Sequence, residues 1–388
     1  MDKRFIARDI SAVMLEMYKY FPVITLTGPR QSGKTTLLRK IFKKLPYYSV
    51  ENLDIRHFAL NDPIGFLNRH PEGMIIDEVQ NTPDLLSYIQ GLVDQNPVKR
   101  FILSGSSQFS VIKKITQSLA GRTGVLELLP LSYNEVKTEA DKKPLDEVLL
   151  TGFYPALYSG KNIPGLFYPS YVKTYLERDV RDLLQIKDMM QFQTFLKLCA
   201  GRIGSLFNAS ELSGEVGVSV GTIKSWISIL QASYIIKLLP PFYENISKRL
   251  TKTPKLYFYD TGVACYLLDI ETEQQLARDK MRGRLFENFI IMEALKERYN
   301  QGKESNLYFY RDSNGVEVDL LLKNGNEYSA IEIKSSQTYH PEFERGIKSL
   351  SKVLSNRLTH KAIIYAGDFE NDTAEIQLAN YRNMKRCF

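Results

Sequence analysis

Val23-Ile24-Thr25-Leu26-Thr27-Gly28-Pro29-Arg30-Gln31-Ser32-Gly33-Lys34-Thr35-Thr36 is a short β-branched run followed by G-x-x-x-x-G-K-T and, at Leu37-Leu38, the apolar start of a helix. Gly28 and Gly33 let the backbone bend so that successive N–H groups face a phosphate chain. A helix beginning near Lys34 adds its positive N-terminal end. Lys34 is placed to reach the terminal phosphates, and the Thr35 hydroxyl to hold Mg²⁺. The spacing predicts a strand–loop–helix nucleotide site formed by Gly28, Pro29, Arg30, Gln31, Ser32, Gly33, Lys34, Thr35 and Thr36.

Hydrolysis needs a metal-holding carboxylate and a group that orients water. About forty residues on, Gly73-Met74-Ile75-Ile76-Asp77-Glu78 reads as a buried strand ending in two acids at the phosphate side of a parallel sheet. Asp77 is expected to hold Mg²⁺ through water, and Glu78 to polarise the attacking water. A third strand, Arg100-Phe101-Ile102-Leu103, runs into Ser104-Gly105-Ser106-Ser107, where Ser106 is a candidate contact to the γ-phosphate or the water. Arg122, in Ser118-Leu119-Ala120-Gly121-Arg122, is a candidate arginine finger, in cis or toward a neighbouring subunit of a homo-oligomer. An ordinary surface arginine would look the same.

The run of phosphate loop, Met74–Glu78, Leu103–Ser107 and Leu119–Arg122 resembles the ATPase module of an AAA-type family of bacteria and archaea, in which a further C-terminal region follows. The segment Tyr171-Val172-Lys173-Thr174-Tyr175-Leu176-Glu177-Arg178-Asp179-Val180 resembles a recurrent stretch of the same family. The resemblance implies ATP as the nucleotide; no N-K-x-D-type guanine-reading segment is evident.

With 388 residues, two or three domains are expected. A formal charge of +7 leans mildly toward a polyanionic partner. Cys199, Cys265 and Cys387 lie far apart with no C-x-x-C, which fits a reducing compartment and argues against zinc. The N-terminus lacks a hydrophobic signal core, and no run of 18 apolar residues occurs, so a cytoplasmic protein without membrane attachment is expected.

Between Phe192 and Leu268 the pattern changes to short helices. Asn208-Ala209-Ser210-Glu211-Leu212 starts one behind a polar cap, Gly217 marks its end, and Ser219 caps a second that carries Ile223, Ile227 and Leu230. Helix, glycine turn, helix reads as helix-turn-helix. Strands at Tyr234–Leu239 and Lys255–Tyr259 would bracket a basic hairpin carrying Lys248, Arg249, Lys252 and Lys255. In a winged helix, Thr222, Lys224 and Ser225 would face DNA while the hairpin lysines and arginine meet phosphates. Such a domain can equally serve only for packing.

From Gly283 the chain returns to α/β. A helix through Phe286, Glu287, Phe289 and Ile290 precedes Val316-Glu317-Val318-Asp319-Leu320-Leu321-Leu322 and Tyr328-Ser329-Ala330-Ile331-Glu332-Ile333-Lys334. The Asn324-Gly325 step between the two strands signals a hairpin. With the turn at Asn324 to Glu327, Lys323 pairs with Tyr328 and Asp319 falls opposite Glu332. Strict period two then puts Val318, Leu320, Leu322, Ile331 and Ile333 on one face, and Glu317, Asp319, Glu332 and Lys334 on the other. Opposed carboxylates repel unless a cation sits between them. A half-exposed hairpin with a charged outer face would give the same alternation.

Glu287, Asp319 and Glu332-x-Lys334 in this order resemble the PD-(D/E)xK nuclease superfamily, with Val318 in place of its proline. The resemblance implies that Asp319 and Glu332 ligate Mg²⁺ or Mn²⁺ with help from Glu287, and that Lys334 acts on the attacked phosphate or the water. The expected organisation is α/β: an AAA-type P-loop ATPase domain over 1–155, a helical connector over 156–190, a winged-helix domain over 191–270 and a restriction-endonuclease-like domain over 275–388. Two functions follow. One is an ATP-driven, metal-dependent DNA enzyme; the other is an ATP-dependent DNA- or protein-binding switch whose nuclease-like domain is silent.

Overall fold

Short apolar runs covered on both faces build the middle of the first sheet. The computed structural model describes residues 5–106, 119–160, 162–176, 189–242, 253–312 and 314–388. They form two compact units. The first comprises Met1–Leu131, Ala232–Tyr234 and Arg298–Glu304, and the second comprises Ser132–Gln231, Ile235–Glu297 and Ser305–Phe388.

In the first unit, β1 (Val23–Thr27), β2 (Tyr47–Ser49), β3 (Gly73–Asp77), β4 (Arg100–Gly105) and β5 (Thr123–Glu127) are all parallel, in the order β2-β3-β4-β1-β5. Successive residues alternate between two cores. Val23, Met74, Ile76, Phe101 and Leu103 pack with Leu85, Leu86, Ile89 and Val93 of a helix over Leu85–Gln95. Ile24, Leu26, Ile75 and Ile102 pack with Met14 of α1 (Ser11–Tyr20) and Leu37 and Leu38 of α2 (Lys34–Ile41); the Leu85–Gln95 helix is α3. Each such side chain contributes about 1.5–3 kcal/mol by leaving water. Burial on both faces explains why the strands read as continuous apolar runs rather than alternating ones. The phosphate loop lies between the end of β1 and α2.

The second unit contains α4 (Met189–Ala200), α5 (Ala209–Val216) and α6 (Val220–Ala232), then an antiparallel pair, β6 (Ile236–Leu239) and β7 (Lys255–Phe258). Asn208 caps α5 by accepting from the Ser210 and Glu211 amides, and Gly217 ends it in the left-handed region. Ser219 Oγ accepts from the Thr222 amide at the start of α6. Trp226 packs edge-on to Phe192 at 5.2 Å, closing the helices on a shared core. The strand expected from Tyr234 begins at Ile236 instead, since Tyr234 has φ 57 and cannot continue a strand.

After α7 (Arg282–Asn300) comes a five-stranded mixed sheet in the order β12-β11-β10-β9-β8. It consists of β8 (Leu307–Arg311), β9 (Glu317–Asn324), β10 (Glu327–Lys334), β11 (Leu358–Tyr365) and β12 (Gln377–Asn380), with α8 (Arg345–Leu354) crossing between β10 and β11. The hairpin register matches the sequence count: Tyr328 pairs with Lys323, and the ladder runs on to Ile331 with Leu320. The expected single apolar face does not form. Val318 packs in one cluster with Leu321, Tyr328 and Ala330, not with Leu320 and Leu322. A register shift against β8 (Tyr308 opposite Leu321, Tyr310 opposite Val318) inserts one extra residue in β9 and resets its alternation.

Candidate nucleotide site and buried acidic cluster

The phosphate loop is shaped by two glycines. At Gly28 (φ 147) an added Cβ would stand 2.2 Å from the Leu128 carbonyl oxygen, so only glycine lets β1 leave its sheet neighbour there. Gly33 (φ 95) turns the chain into α2. Pro29 is buried, Arg30 and Gln31 are exposed at the tip, and Thr36 is exposed on the first turn of α2. Lys34 Nζ donates to the carbonyls of Gly28 and Pro29, both at 2.8 Å. Burial pushes the Lys34 ammonium down to about 8, against the opposing pull of Glu78 and Asp77. Ser32 Oγ is buried without a hydrogen-bond partner, a donor left for an incoming anion.

Asp77 ends β3 and collects four donors. Its Oδ2 accepts from Thr35 Oγ1 and from Tyr47 OH, both at 2.6 Å, and its Oδ1 accepts from Ser104 Oγ and from the Glu78 amide. Glu78 sits in the left-handed region (φ 59, ψ 41), which costs a non-glycine residue on the order of 1–2 kcal/mol. Its carboxylate accepts from Gln80 Nε2 and, at 3.2 Å, from Ser106 Oγ. Thr35, Asp77, Glu78 and Ser106 therefore converge beside Lys34. These donors and acceptors suit a nucleotide phosphate with Mg²⁺.

Arg122 does not join them. Its carbonyl accepts from the Val23 amide, at the end of β1 remote from the phosphate loop, and its guanidinium forms a two-pronged pair with Asp94 at 2.6 and 2.9 Å. The expectation of a finger in cis is thus corrected: the strand length separates Arg122 from the loop in its own chain. Sequence reasoning also missed Arg8. Its buried guanidinium donates to the carbonyls of Ser32 (2.8 Å) and Leu129 (2.7 Å), pinning the loop to the chain that follows β5. Tyr47 was missed as well; neither residue carries a local motif.

A second cluster lies in the other unit. Asp319 Oδ2 accepts from the Ile333 amide at 2.9 Å and from Lys334 Nζ at 3.4 Å, and Lys334 Nζ donates to Glu332 Oε1 at 2.5 Å. Glu287 Oε1 accepts from Tyr257 OH at 2.5 Å. Lys255, only 4% exposed, places Nζ 3.5 Å from Glu287 and 3.2 Å from Glu317. Gly204 (φ 69) leaves room for the Glu287 carboxylate, since a Cβ there would stand 3.2 Å from Oε2. Burial and the Asp319 charge push Glu332 up to about 8, against the pull of Lys334. Burial opposes the charge on Lys255, yet Glu287, Asp319 and Glu317 hold it above the usual lysine value.

Glu287, Asp319 and Glu332 are near neighbours, and among the described residues no three His, Cys, Asp or Glu side chains gather as a metal cage. Lys334 lies against Asp319 and Glu332, as expected of Glu332-x-Lys334, while Lys255 and Tyr257 lie against Glu287. The expectation of Lys255 as a solvent-facing wing residue is corrected, for its charge is spent inside the cluster. Of the other expected DNA contacts, Lys224 and Ser225 are exposed on α6, while half-buried Thr222 bonds to Ser219 at the cap. Lys248, Arg249 and Lys252 lie outside the described residues, as do Ser107 and residues 177–180 of the Tyr171–Val180 stretch.

Comparison with known proteins follows this geometry. Residues 20–137 match the AAA domain family, which makes the first unit's sheet that of an AAA-type P-loop ATPase. Residues 142–274 and 282–383 match two domains of unknown function, DUF8612 and DUF4143. The chain is 31% identical over 372 residues to the uncharacterized protein Rv2008c of Mycobacterium tuberculosis, covering 93% of this chain and 80% of that one. It is 22% identical over 378 residues to the uncharacterized protein MJ1544 of Methanocaldococcus jannaschii, with coverage of 84% and 81%. Among solved structures, the Walker-type ATPase PABY2304 of Pyrococcus abyssi is 17% identical, with a TM-score of 0.47 over 69% of this chain and 97% of that one. Among the described residues no helix is long and apolar enough to cross a membrane.

Proposed function

The chain belongs to the same family as protein Rv2008c of Mycobacterium tuberculosis, and we propose that it is an ATP-driven switch that engages DNA, with a nuclease-like domain that does not cut. The observation that carries this reading is Lys255, whose ammonium comes from β7 and is seated against Glu287 and Glu317, beside carboxylates that a metal-dependent nuclease would offer to its metal ion. In the ATPase unit, Lys34 would grip the terminal phosphates and the loop amides would cradle them. Thr35 and Asp77 would hold Mg²⁺, which supplies positive charge to the phosphates when bound. Glu78, steadied by Gln80 and Ser106, would orient the attacking water.

The helix-turn-helix over α5 and α6 supports the DNA half of the proposal. Lys224 and Ser225 are exposed on its second helix, and the chain carries a net charge of +7. The order helix, three antiparallel strands, crossover helix, parallel strand in the C-terminal sheet supports the nuclease-like reading of that domain. Exchange of ADP for ATP at the phosphate loop would then alter the affinity for DNA, and turnover would reset it.

The test is ATP turnover with and without duplex, single-stranded and branched DNA, with each DNA run on a gel after incubation in Mg²⁺ or Mn²⁺. The proposal expects severalfold stimulation and intact DNA. Cleavage lost in Asp319→Ala would replace it with the metal-dependent nuclease.

A further inference from the structure

Lys255 reaches the acidic cluster from an element no nuclease-type motif includes. It opens β7, whose backbone also bridges to Leu206 and to Ile203 through Leu256, and Arg284 of α7 ties down the same segment through the Ile203 carbonyl and Ser205 Oγ. The ammonium is therefore fixed, not a mobile surface charge. It stands against Glu287 and Glu317, and the cluster as a whole sets four carboxylates (Glu287, Glu317, Asp319, Glu332) around two lysines (Lys255, Lys334), with Arg311 on the solvent side of Glu317 at 3.1 Å, which leaves one acid in excess. Buried ions of one sign demand a counter-charge, and a surplus of acids leaves room for more. One further observation points to what is missing: Glu332, 8% exposed, has an Oε2 atom that is buried and accepts no hydrogen bond. A buried carboxylate oxygen without a donor is the ligand type that hard divalent cations take.

We propose that Lys255 is the resident cation of this cluster, and that its ammonium competes with a divalent metal ion for the same carboxylates. The inference rests on the reading of this domain as a silent nuclease-like fold and names the residue that silences it. While Lys255 is in place, Glu287 is neutralised from within and Glu317 is shared between Lys255 and Arg311, and a metal ion would bring two positive charges up to the one already beside Glu287. Removing that ammonium leaves Glu287, Asp319 and the unpartnered Glu332 oxygen facing a deficit of positive charge that Mn²⁺ can fill.

The experiment is Mn²⁺ binding to nucleotide-free full-length protein, followed by the free-ion electron paramagnetic resonance signal. It compares wild type, Lys255→Met, Lys255→Gln, Lys255→Arg and Lys255→Met with Asp319→Asn. The expected result is a site in Lys255→Met or Lys255→Gln at least about tenfold tighter than in wild type. Lys255→Arg should stay at the wild-type level, and adding Asp319→Asn should abolish the gain. Lys255→Gln can still hydrogen-bond Glu317, so it serves if the Met variant does not fold, as judged by circular dichroism. Equal Mn²⁺ affinity in wild type and the folded neutral variants overturns the competition, and so does the absence of binding in all of them. The same samples incubated with DNA report separately on the silent-domain reading: cleavage by wild type would overturn that reading whatever the affinities.

Discussion

Asn288 and Phe258 pair through both edges of the Asn288 amide: the Phe258 N–H donates to Oδ1 at 2.7 Å, and Nδ2 donates to the Phe258 carbonyl at 2.9 Å. A helix side chain thus takes up the edge of β7 at Phe258, across from its β6 partner Ile236. The pairing fixes the neighbouring residues, so that Glu287 meets Tyr257 OH. Asn288→Leu, of similar size, would strand a buried N–H and a buried carbonyl at a cost of about 2–4 kcal/mol. Trp226, the single tryptophan, lies in the same unit. The loss is expected as a lower urea midpoint of its fluorescence, and an unchanged midpoint would refute it.

Lys34→Ala should abolish ATP binding, because it removes the ammonium held at the Gly28 and Pro29 carbonyls, while Arg8 is spent on the Ser32 and Leu129 carbonyls. Glu78→Gln should bind ATP as wild type does and lose at least about 10²-fold in turnover, the usual scale for a missing base. Fluorescent-nucleotide titration and phosphate release separate the two effects.

ATP affinity should depend on pH through Lys34, whose ammonium burial has pushed down to about 8. Bound phosphates favour the charged amine, so the complex takes up a proton wherever the empty site has lost one. Affinity measured in EDTA is then flat below about pH 8 and falls above it by up to about tenfold per unit. A flat profile to pH 10 would show that the empty site keeps Lys34 charged throughout.

Arg8→Ala removes the charged donor shared by the Ser32 and Leu129 carbonyls. Losing buried, charge-assisted hydrogen bonds costs about 2–3 kcal/mol, and the freed loop should bind ATP about tenfold more weakly. Arg8→Lys should recover little, since a single ammonium cannot span carbonyls the fork holds apart. Thermal unfolding and nucleotide titration check both parts.

The phosphate loop and β3 were legible because their chemistry is contiguous: two glycines, a lysine and a threonine within eight residues, then a strand ending in acids. The β9–β10 register was legible from Asn324-Gly325 alone, since a short turn fixes every pair that follows. Other features depend on encounters the sequence cannot order. Lys255 and Glu287 are brought together by packing, and the basic residues before Lys255 made it read as one more surface charge. The extra residue in β9 shows only against β8, so period two failed at Val318. Arg122 follows a glycine in a loop, as a finger would, and only the parallel order of β1 and β5 reveals that it sits at the far end.

The first compact unit takes in Tyr234, whose hydroxyl bonds to Thr27 at 2.9 Å just before the phosphate loop. It also takes in Gly302, where an added Cβ would come within 2.9 Å of Val13 Cγ2. On the ribosome, that unit is not complete when residue 131 emerges; its last pieces arrive some 170 residues later, at an elongation rate of about 5–20 residues per second. For that interval of roughly ten to thirty seconds the nascent ATPase sheet lacks the Tyr234 hydroxyl that bonds to Thr27 and the Gly302 turn that lies against Val13. A chaperone that shields this edge would have its longest opportunity there, and a polypeptide released at residue 137 would carry a whole AAA motif on an unfinished fold.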